Sequence, residues 1–297
     1  TKKFLNMNIK KIAVISSSPM MMMLSLELSK KSKVTIFESS KKIGGAWAWF
    51  DNKKGYLPKY SNAIVPLNKK EERFIPLMNK ILKKKYKIKV KQTKKKIITN
   101  FPFKKKFIYD FSNFYNTALK KLKFTKKFIN EIEILKNGKV LLNKKYKFDK
   151  VYLPSMVGVE KIKIRKKIYK PLYKVIVSEH ISIIAKKFKI KNFYYSDFYD
   201  ENFDRLKIDK GKNFFFLTAR LTYARKGSPI SKIKKYIKKF VNEKDIIRVK
   251  KSKFKNYYRN EDRIKLFKNI VKNSNIKYVD TTQFLRGFLR LRNFFKN

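Results

Sequence analysis

Histidine and cysteine, two residue types that often bind metals or carry catalysis, are almost absent from this chain. His180 is the single histidine among 297 residues, and it lies in an apolar stretch beside Glu179. One histidine without a carboxylate cluster at ligand spacing does not make a metal site, and the nucleophile pattern G-x-S-x-G is absent. The chain has no cysteine, which excludes disulfides, thiol catalysis and Cys-ligated zinc or iron–sulfur clusters. We therefore expect His180 to be a core or sheet-edge residue, and residue types alone name no catalytic group.

Arginine is the other residue type that we consider for ligand binding. The chain has 11 arginines against 67 lysines. A guanidinium presents a planar fork of donors that suits an anionic group better than a lysine ammonium does. The arginines that we single out for binding a small anionic substrate are Arg205, Arg220, Arg225, Arg259 and Arg263.

The net charge is large, since 78 Lys and Arg residues stand against 21 Asp and Glu residues, a formal charge of +57. These lysines are spread almost evenly, whereas a nucleic-acid reader concentrates its charge on one face and uses arginine for base contacts. We interpret most of them as a solvated surface that binds nucleic acid only non-specifically through charge. No apolar run of about 18 residues predicts a transmembrane segment, and we expect a cytoplasmic protein.

Two patterns predict the elements that would position a site. Ile12–Ile15 and Val34–Phe37 are short apolar runs, separated by a Ser/Pro turn and a helix over 20–30. Continuous apolar strands joined by a helix are typical of a parallel βαβ unit. Further along, alternating strands flank Asn137-Gly138, a hairpin signal, and the chain then returns to the apolar run Val151–Pro154.

These stretches resemble a known family of flavoproteins. Lys11–Met21, Val34–Glu38 and Lys42–Trp47 resemble the N-terminal signature of FAD-binding proteins of the amine oxidase and UDP-galactopyranose mutase type, in which a glycine-rich turn, an acid and a Gly-Gly pair recur in that order. Residues 128–155 are similar to the meander that completes the FAD domain, and 276–289 resemble its last strand and helix.

The resemblance implies a cofactor, FAD, and a set of cofactor-binding residues. Glu38 would accept hydrogen bonds from the adenosine ribose, and the Gly-Gly pair would let the backbone pass close to the phosphates. Ser16, Ser18 and Met21 stand at the three glycine positions of G-x-G-x-x-G, where their side chains take up volume near the pyrophosphate and predict impaired cofactor binding. The implied set is Ser16, Ser18, Met21, Glu38, Gly44, Gly45, Ala46, Trp47 and Ile129.

We therefore predict an α/β protein with a Rossmann-like FAD-binding domain, a parallel sheet plus β-meander, and an inserted mixed substrate domain. The FAD or NAD(P)-binding domain would comprise 1–65, 125–160 and 270–297, and the substrate-side domain 66–124 and 161–269. The resemblance implies an FAD-dependent oxidoreductase, amine oxidase-like, or a flavin-dependent mutase-like protein acting on a small molecule. The alternative is a non-enzymatic basic protein that binds nucleic acid or anionic membrane surfaces.

Overall fold

The computed structural model of the chain describes most of its elements and divides into two compact units. One unit comprises Thr1–Gly45, Tyr115–Lys174 and Tyr257–Asn297, and the other comprises Ala46–Phe114 and Val175–Asn256. The residues described are 9–40, 42–50, 57–58, 63–64, 69–93, 97–98, 106–154, 158–170, 174–189, 194–196, 205–210, 215–222, 238, 240–258, 269, 271–272, 274–279, 281 and 284–295.

Strands make up most of these elements. In chain order they are β1 (Lys11–Ile15), β2 (Lys33–Glu38), β3 (Trp49–Phe50), β4 (Leu57–Pro58), β5 (Ala63–Ile64), β6 (Lys89–Thr93), β7 (Ile97–Ile98), β8 (Lys106–Asp110), β9 (Lys123–Lys126), β10 (Glu131–Ile134), β11 (Val140–Leu142), β12 (Tyr146–Phe148), β13 (Lys150–Pro154), β14 (Lys161–Ile164), β15 (Lys167–Tyr169), β16 (Lys174–Ala185), β17 (Tyr194–Ser196), β18 (Arg205–Lys210), β19 (Phe215–Thr222), β20 (Ile246–Tyr258) and β21 (Ile276–Val279). The described α-helices are α1 (Pro19–Ser29), α2 (Lys69–Tyr86), α3 (Ser112–Lys121), α4 (Phe284–Arg290) and α5 (Arg292–Phe295).

A parallel sheet forms the centre of the first unit, in the order β21-β13-β1-β2-β9. β1 and β2 are adjacent and parallel, with Ile12 opposite Val34 and Ile15 opposite Phe37, as the sequence predicts. β13 pairs with β1 and β21 with β13, again in parallel. The sequence patterns did not predict the edge strand β9, because its residues KFTK contain no apolar run. In the sheet this strand is only half buried.

The predicted β-meander is confirmed in a second sheet of this unit. β10 and β11 form an antiparallel hairpin, and β12 pairs antiparallel with β11. Gly138, in the turn, has φ +76°, a conformation that glycine adopts without strain. β14 pairs in parallel with β10. The predicted domain bounds stay a prediction. One hydrophobic cluster of the first unit joins residues of both sheets, including Ala13, Ile132 and Leu153.

Helix α1 is buried on every side at its N-terminal half, where Met20 to Leu24 are each at most 1% exposed. It packs against β2 and against α4 and α5. Pro19 is its first residue, a position that needs no backbone N–H. The predicted last strand and helix of the chain correspond to β21 and α4.

The second unit is built on mixed sheets. One has the order β20-β16-β19-β18-β17-β7, and a smaller one has the order β5-β8-β6. Apolar residues at helical spacing, Ile230, Ile233, Ile237 and Phe240, predict an amphipathic helix over 230–241. Except for 238, 240 and 241, this range lies outside the described residues. Among the helices that the structure describes, none is long and apolar enough to span a membrane.

Candidate functional site

The turn between β1 and α1 keeps the backbone of a glycine turn without its glycines. Ser16 has φ +85°, in the left-handed region that favours glycine. Its N–H donates to the carbonyl oxygen of Phe37 at 2.8 Å, which ties the turn to the end of β2. Its Oγ accepts the N–H of Ser18 at 3.2 Å. The first glycine position of the predicted motif therefore retains the required conformation with a serine in it.

Ser18 precedes α1 and makes no capping hydrogen bond with its side chain. Its Oγ is buried and has no hydrogen-bond partner, an unusual state for a buried hydroxyl. The N–H groups of the first helical turn have no intrahelical acceptor, and Pro19 has no backbone N–H group. The start of α1 therefore presents the N–H groups of Met20 and Met21, together with the Ser18 hydroxyl, at the positive end of the helix dipole. We call this group the α1 N-terminal site.

Met21 occupies the third glycine position and is fully buried in α1. In the predicted motif a glycine there permits close packing of helix on strand. In this chain the position carries a buried thioether side chain, and the Met21 carbonyl accepts a hydrogen bond from Ser25 Oγ at 2.8 Å.

Glu38 ends β2 and is only 8% exposed. Its Oε2 accepts the Ser17 N–H at 3.0 Å and the Ser17 Oγ–H at 2.5 Å. Its Oε1 accepts the Ser40 N–H and the Ser40 Oγ–H, both at 2.8 Å. Two short loops thus converge on one buried carboxylate, which accepts four hydrogen bonds from the chain itself.

Ser17 connects this carboxylate to the Gly-Gly pair. Its Oγ accepts the N–H of Gly44 at 2.8 Å while donating to Glu38, and its carbonyl oxygen accepts the Tyr115 hydroxyl at 2.7 Å. Gly44 and Gly45 have φ of +109° and +53°. A Cβ added at Gly45 would meet Ser18 Cβ at 3.7 Å, an ordinary contact, so the backbone conformation and not space requires glycine there.

Ala46, Trp47 and Ile129 are the other predicted site residues. Ala46 and Trp47 follow Gly45 in the chain and belong to the second unit, where the Trp47 ring contacts Phe111 edge-on at 5.1 Å between centroids. Ile129 is buried in the hydrophobic cluster of the first unit, whereas Phe128 is 39% exposed. Their assignment to the cofactor stays a prediction.

Sequence reasoning missed Ser17, Ser40 and Tyr115. Ser17 and Ser40 are close in sequence to Ser16 and Glu38, and their hydroxyls were the available signal. Tyr115 lies 98 residues from Ser17 and carries no local signal.

The Asp149 carboxyl group and the Tyr109 phenol, both outside the turn, have shifted pKa values. The pKa of Asp149 is lowered, first by a hydrogen bond from the Lys11 N–H and also by Lys139. This contact joins the start of β1 to the start of β13. In the second unit, burial raises the pKa of Tyr109, whose hydroxyl donates to Asn79.

His180 lies in β16, opposite Arg220 of β19, and Arg220 is opposite Arg205 of β18. The single histidine and two of the singled-out arginines thus share one row, while Arg225, Arg259 and Arg263 lie outside the described residues. Within the described part of the chain, no group of His, Asp or Glu side chains could hold a metal ion.

The residues of the β1–α1 turn fit the phosphate part of a dinucleotide. The Ser16 conformation, the unpartnered Ser18 hydroxyl and the start of α1 together present donors where a pyrophosphate is bound in such folds. On the ribose side, the acceptor Glu38 is present at the expected strand end, and its oxygens are already hydrogen-bonded within the chain.

Comparison with known proteins identifies the fold. No protein-family model and no curated protein matches the sequence. Among solved structures, a protein of Exiguobacterium sp. 255-15 assigned as a protoporphyrinogen oxidase is similar over 97% of this chain and 98% of its own, with a TM-score of 0.64 and 7% identity. A variant of putrescine oxidase with redesigned cofactor binding matches over 97% and 99%, with a TM-score of 0.61 and 6% identity. Reduced UDP-galactopyranose mutase matches over 90% and 89%, with a TM-score of 0.61 and 8% identity.

Proposed function

We propose that this chain, which has the α/β fold of Rossmann-like FAD-binding flavoproteins, is itself a flavoprotein that binds FAD at the β1–α1 turn. The observation that carries the proposal is the left-handed Ser16 turn, hydrogen-bonded to the end of β2 and followed by a helix start with an unpartnered hydroxyl. Solved structures that share this fold include oxidases and a mutase. We accordingly propose an FAD-dependent oxidoreductase, amine oxidase-like, or a flavin-dependent mutase-like protein.

The chain's own residues would bind and orient the cofactor. The N–H groups of Met20 and Met21 and the Ser18 hydroxyl would hold the pyrophosphate, because a helix N-terminus favours negative charge. Gly44 and Gly45, kept beside the turn by Ser17, would let the backbone approach it. A bound flavin supplies hydride and electron transfer, while the protein supplies binding and orientation.

The substrate and the alternative function stay predictions. The row of His180, Arg220 and Arg205 supports a small anionic substrate by placement alone. The alternative, a basic protein that binds nucleic acid or an anionic membrane surface, rests on the net charge of +57, and no contact among the described residues adds to it.

The proposal is tested at Ser18 with a pair of variants that differ by one charge. Ser18→Asp and Ser18→Asn both place a good N-cap before α1, so both are expected to fold at least as well as the wild type. An aspartate at the start of α1 repels a pyrophosphate, whereas an asparagine donates to it.

We expect purified wild type, or wild type incubated with FAD, to show a flavin absorption band. The Asp variant should bind FAD at least about tenfold more weakly than the Asn variant, since two like unit charges about 4 Å apart near a protein surface repel each other by about 4 kcal/mol. Titration of flavin fluorescence measures both affinities. A wild type that stays colourless after incubation with FAD, or equal affinities of the two variants, would remove the proposal.

A further inference from the structure

The carboxylate of Glu38 accepts a full complement of hydrogen bonds from the chain itself. An ionised carboxylate offers about four lone-pair positions, two on each oxygen. Ser17 donates twice to Oε2 and Ser40 donates twice to Oε1. A ribose hydroxyl that donates to Glu38 must therefore displace one of these donors.

The two serines differ in how easily they can be displaced. Ser17 is fully buried, and its Oγ also accepts the Gly44 N–H. Removing its hydroxyl from Glu38 would leave buried polar groups without partners, which is costly. Ser40 is exposed, so its hydroxyl can exchange Glu38 for water with little loss. The Ser40 hydroxyl is thus the donor that a ribose would replace.

We propose that the Ser40 hydroxyl occupies the lone pair of Glu38 Oε1 that would otherwise accept a ribose hydroxyl, an arrangement that we call the closed acceptor. A nucleotide bound at the β1–α1 turn then gains little affinity from Glu38 until the Ser40 hydroxyl leaves Oε1. The inference rests on the proposed function, because it concerns a nucleotide at the same turn. Affinity then comes mainly from the α1 N-terminal site, and the ribose hydroxyls contribute little. Ser40 is a specificity-determining residue that acts through Glu38.

The test compares ADP, the nucleoside diphosphate present within FAD, with 2′-deoxy-ADP, which lacks one ribose hydroxyl. Titration calorimetry of the wild type should give affinities for the two ligands that agree within about twofold. Ser40→Ala frees a lone pair of Glu38 Oε1 for the ribose. This variant should bind ADP about tenfold more tightly than 2′-deoxy-ADP, since hydrogen bonds to charged groups contribute at least that much.

Ser112→Ala is the matched control. Ser112 donates its N–H and its Oγ–H to Asp110 Oδ1, at 2.9 and 2.6 Å, which repeats the Ser40 arrangement in another part of the chain. This variant should show the wild-type ratio of the two affinities. A changed ratio in Ser112→Ala would overturn the assignment of the effect to Ser40.

Glu38→Gln completes a double-mutant cycle with Ser40→Ala. Added to Ser40→Ala, it should abolish the preference for ADP, whereas alone it should change ADP affinity less than threefold. If Glu38→Gln fails to fold, the comparison of ADP with 2′-deoxy-ADP in wild type and Ser40→Ala still decides the inference, because the deletion is then made in the ligand.

The outcomes separate this inference from the proposed function. If the wild type binds FAD and already prefers ADP tenfold over 2′-deoxy-ADP, the closed acceptor is overturned and the proposed flavoprotein function is retained. If Ser40→Ala gains the preference for ADP while no variant binds FAD, the closed acceptor is supported and the proposed flavoprotein function is overturned. Absence of ADP binding to every variant overturns the closed acceptor, whereas the proposed function is decided by FAD binding alone.

Discussion

Ser16, Ser18 and Met21 show at the residue scale how a phosphate turn can persist without glycine. Only Ser16 adopts a left-handed φ, of +85°. Ser18 has φ −58° and ψ 153°, which any residue adopts, and Met21 is helical. The loss of three glycines therefore costs backbone strain at one position, and there the turn is held by the hydrogen bond from Ser16 to Phe37.

We predict that Ser16→Gly is more stable than Ser16→Ala by about 1 kcal/mol, because glycine has no Cβ to strain a left-handed residue. Both variants lose the hydroxyl that accepts the Ser18 N–H, so their difference isolates the backbone conformation. The free energies of unfolding in urea measure it. Equal stability of the two variants would contradict a left-handed residue at this position.

At the scale of the element, the first half of helix α1 is buried on all sides and exposes no face to solvent. Met20, Met21, Met22 and Met23 are each at most 1% exposed, since the helix has β2 on one side and α4 and α5 on another. Flexible, unbranched methionine fills irregular space between such neighbours. Met22 and Met23 are thus part of the buried core.

We predict that Met21→Ala lowers the free energy of unfolding by about 2–5 kcal/mol, because the removed side chain leaves a cavity in a fully buried site. Met21→Leu keeps the volume and should cost less than about 1.5 kcal/mol. Urea denaturation monitored by circular dichroism distinguishes them. A cost below 1 kcal/mol for the alanine variant would mean that Met21 is not packed as the structure has it.

At the scale of the whole molecule, the dominant property is charge. A formal charge of +57 on 297 residues gives strong self-repulsion in the folded state. Lys150 in β13 is a local case, since its pKa is lowered first by burial and then by repulsion from Lys277 and Lys10. Compaction of the chain brings such cations closer together than they are when it is unfolded.

We predict that the melting temperature rises when the NaCl concentration is raised from about 0.01 M to about 1 M, because the Debye length falls from about 30 Å to about 3 Å. KCl at equal ionic strength should have the same effect, which separates screening from binding of a particular ion. Differential scanning calorimetry gives the melting temperatures. A melting temperature that is unchanged or lower in high salt would show that repulsion does not limit stability.

The amino-acid sequence by itself determined the elements whose signals are local. Apolar runs specify β1, β2 and β13, and Asn137-Gly138 specifies the hairpin of β10 and β11, since burial periodicity and turn conformation depend on neighbouring residues. Only the tertiary structure decided which groups meet at the turn. Glu38 meets Ser17 across 21 residues, and Ser17 meets Tyr115 across 98. A hydrogen bond between distant residues depends on how strands and loops are arranged in space, which no local pattern encodes. The sequence therefore predicted the position of Glu38 at the end of β2, whereas only the fold determined which groups donate to its oxygens.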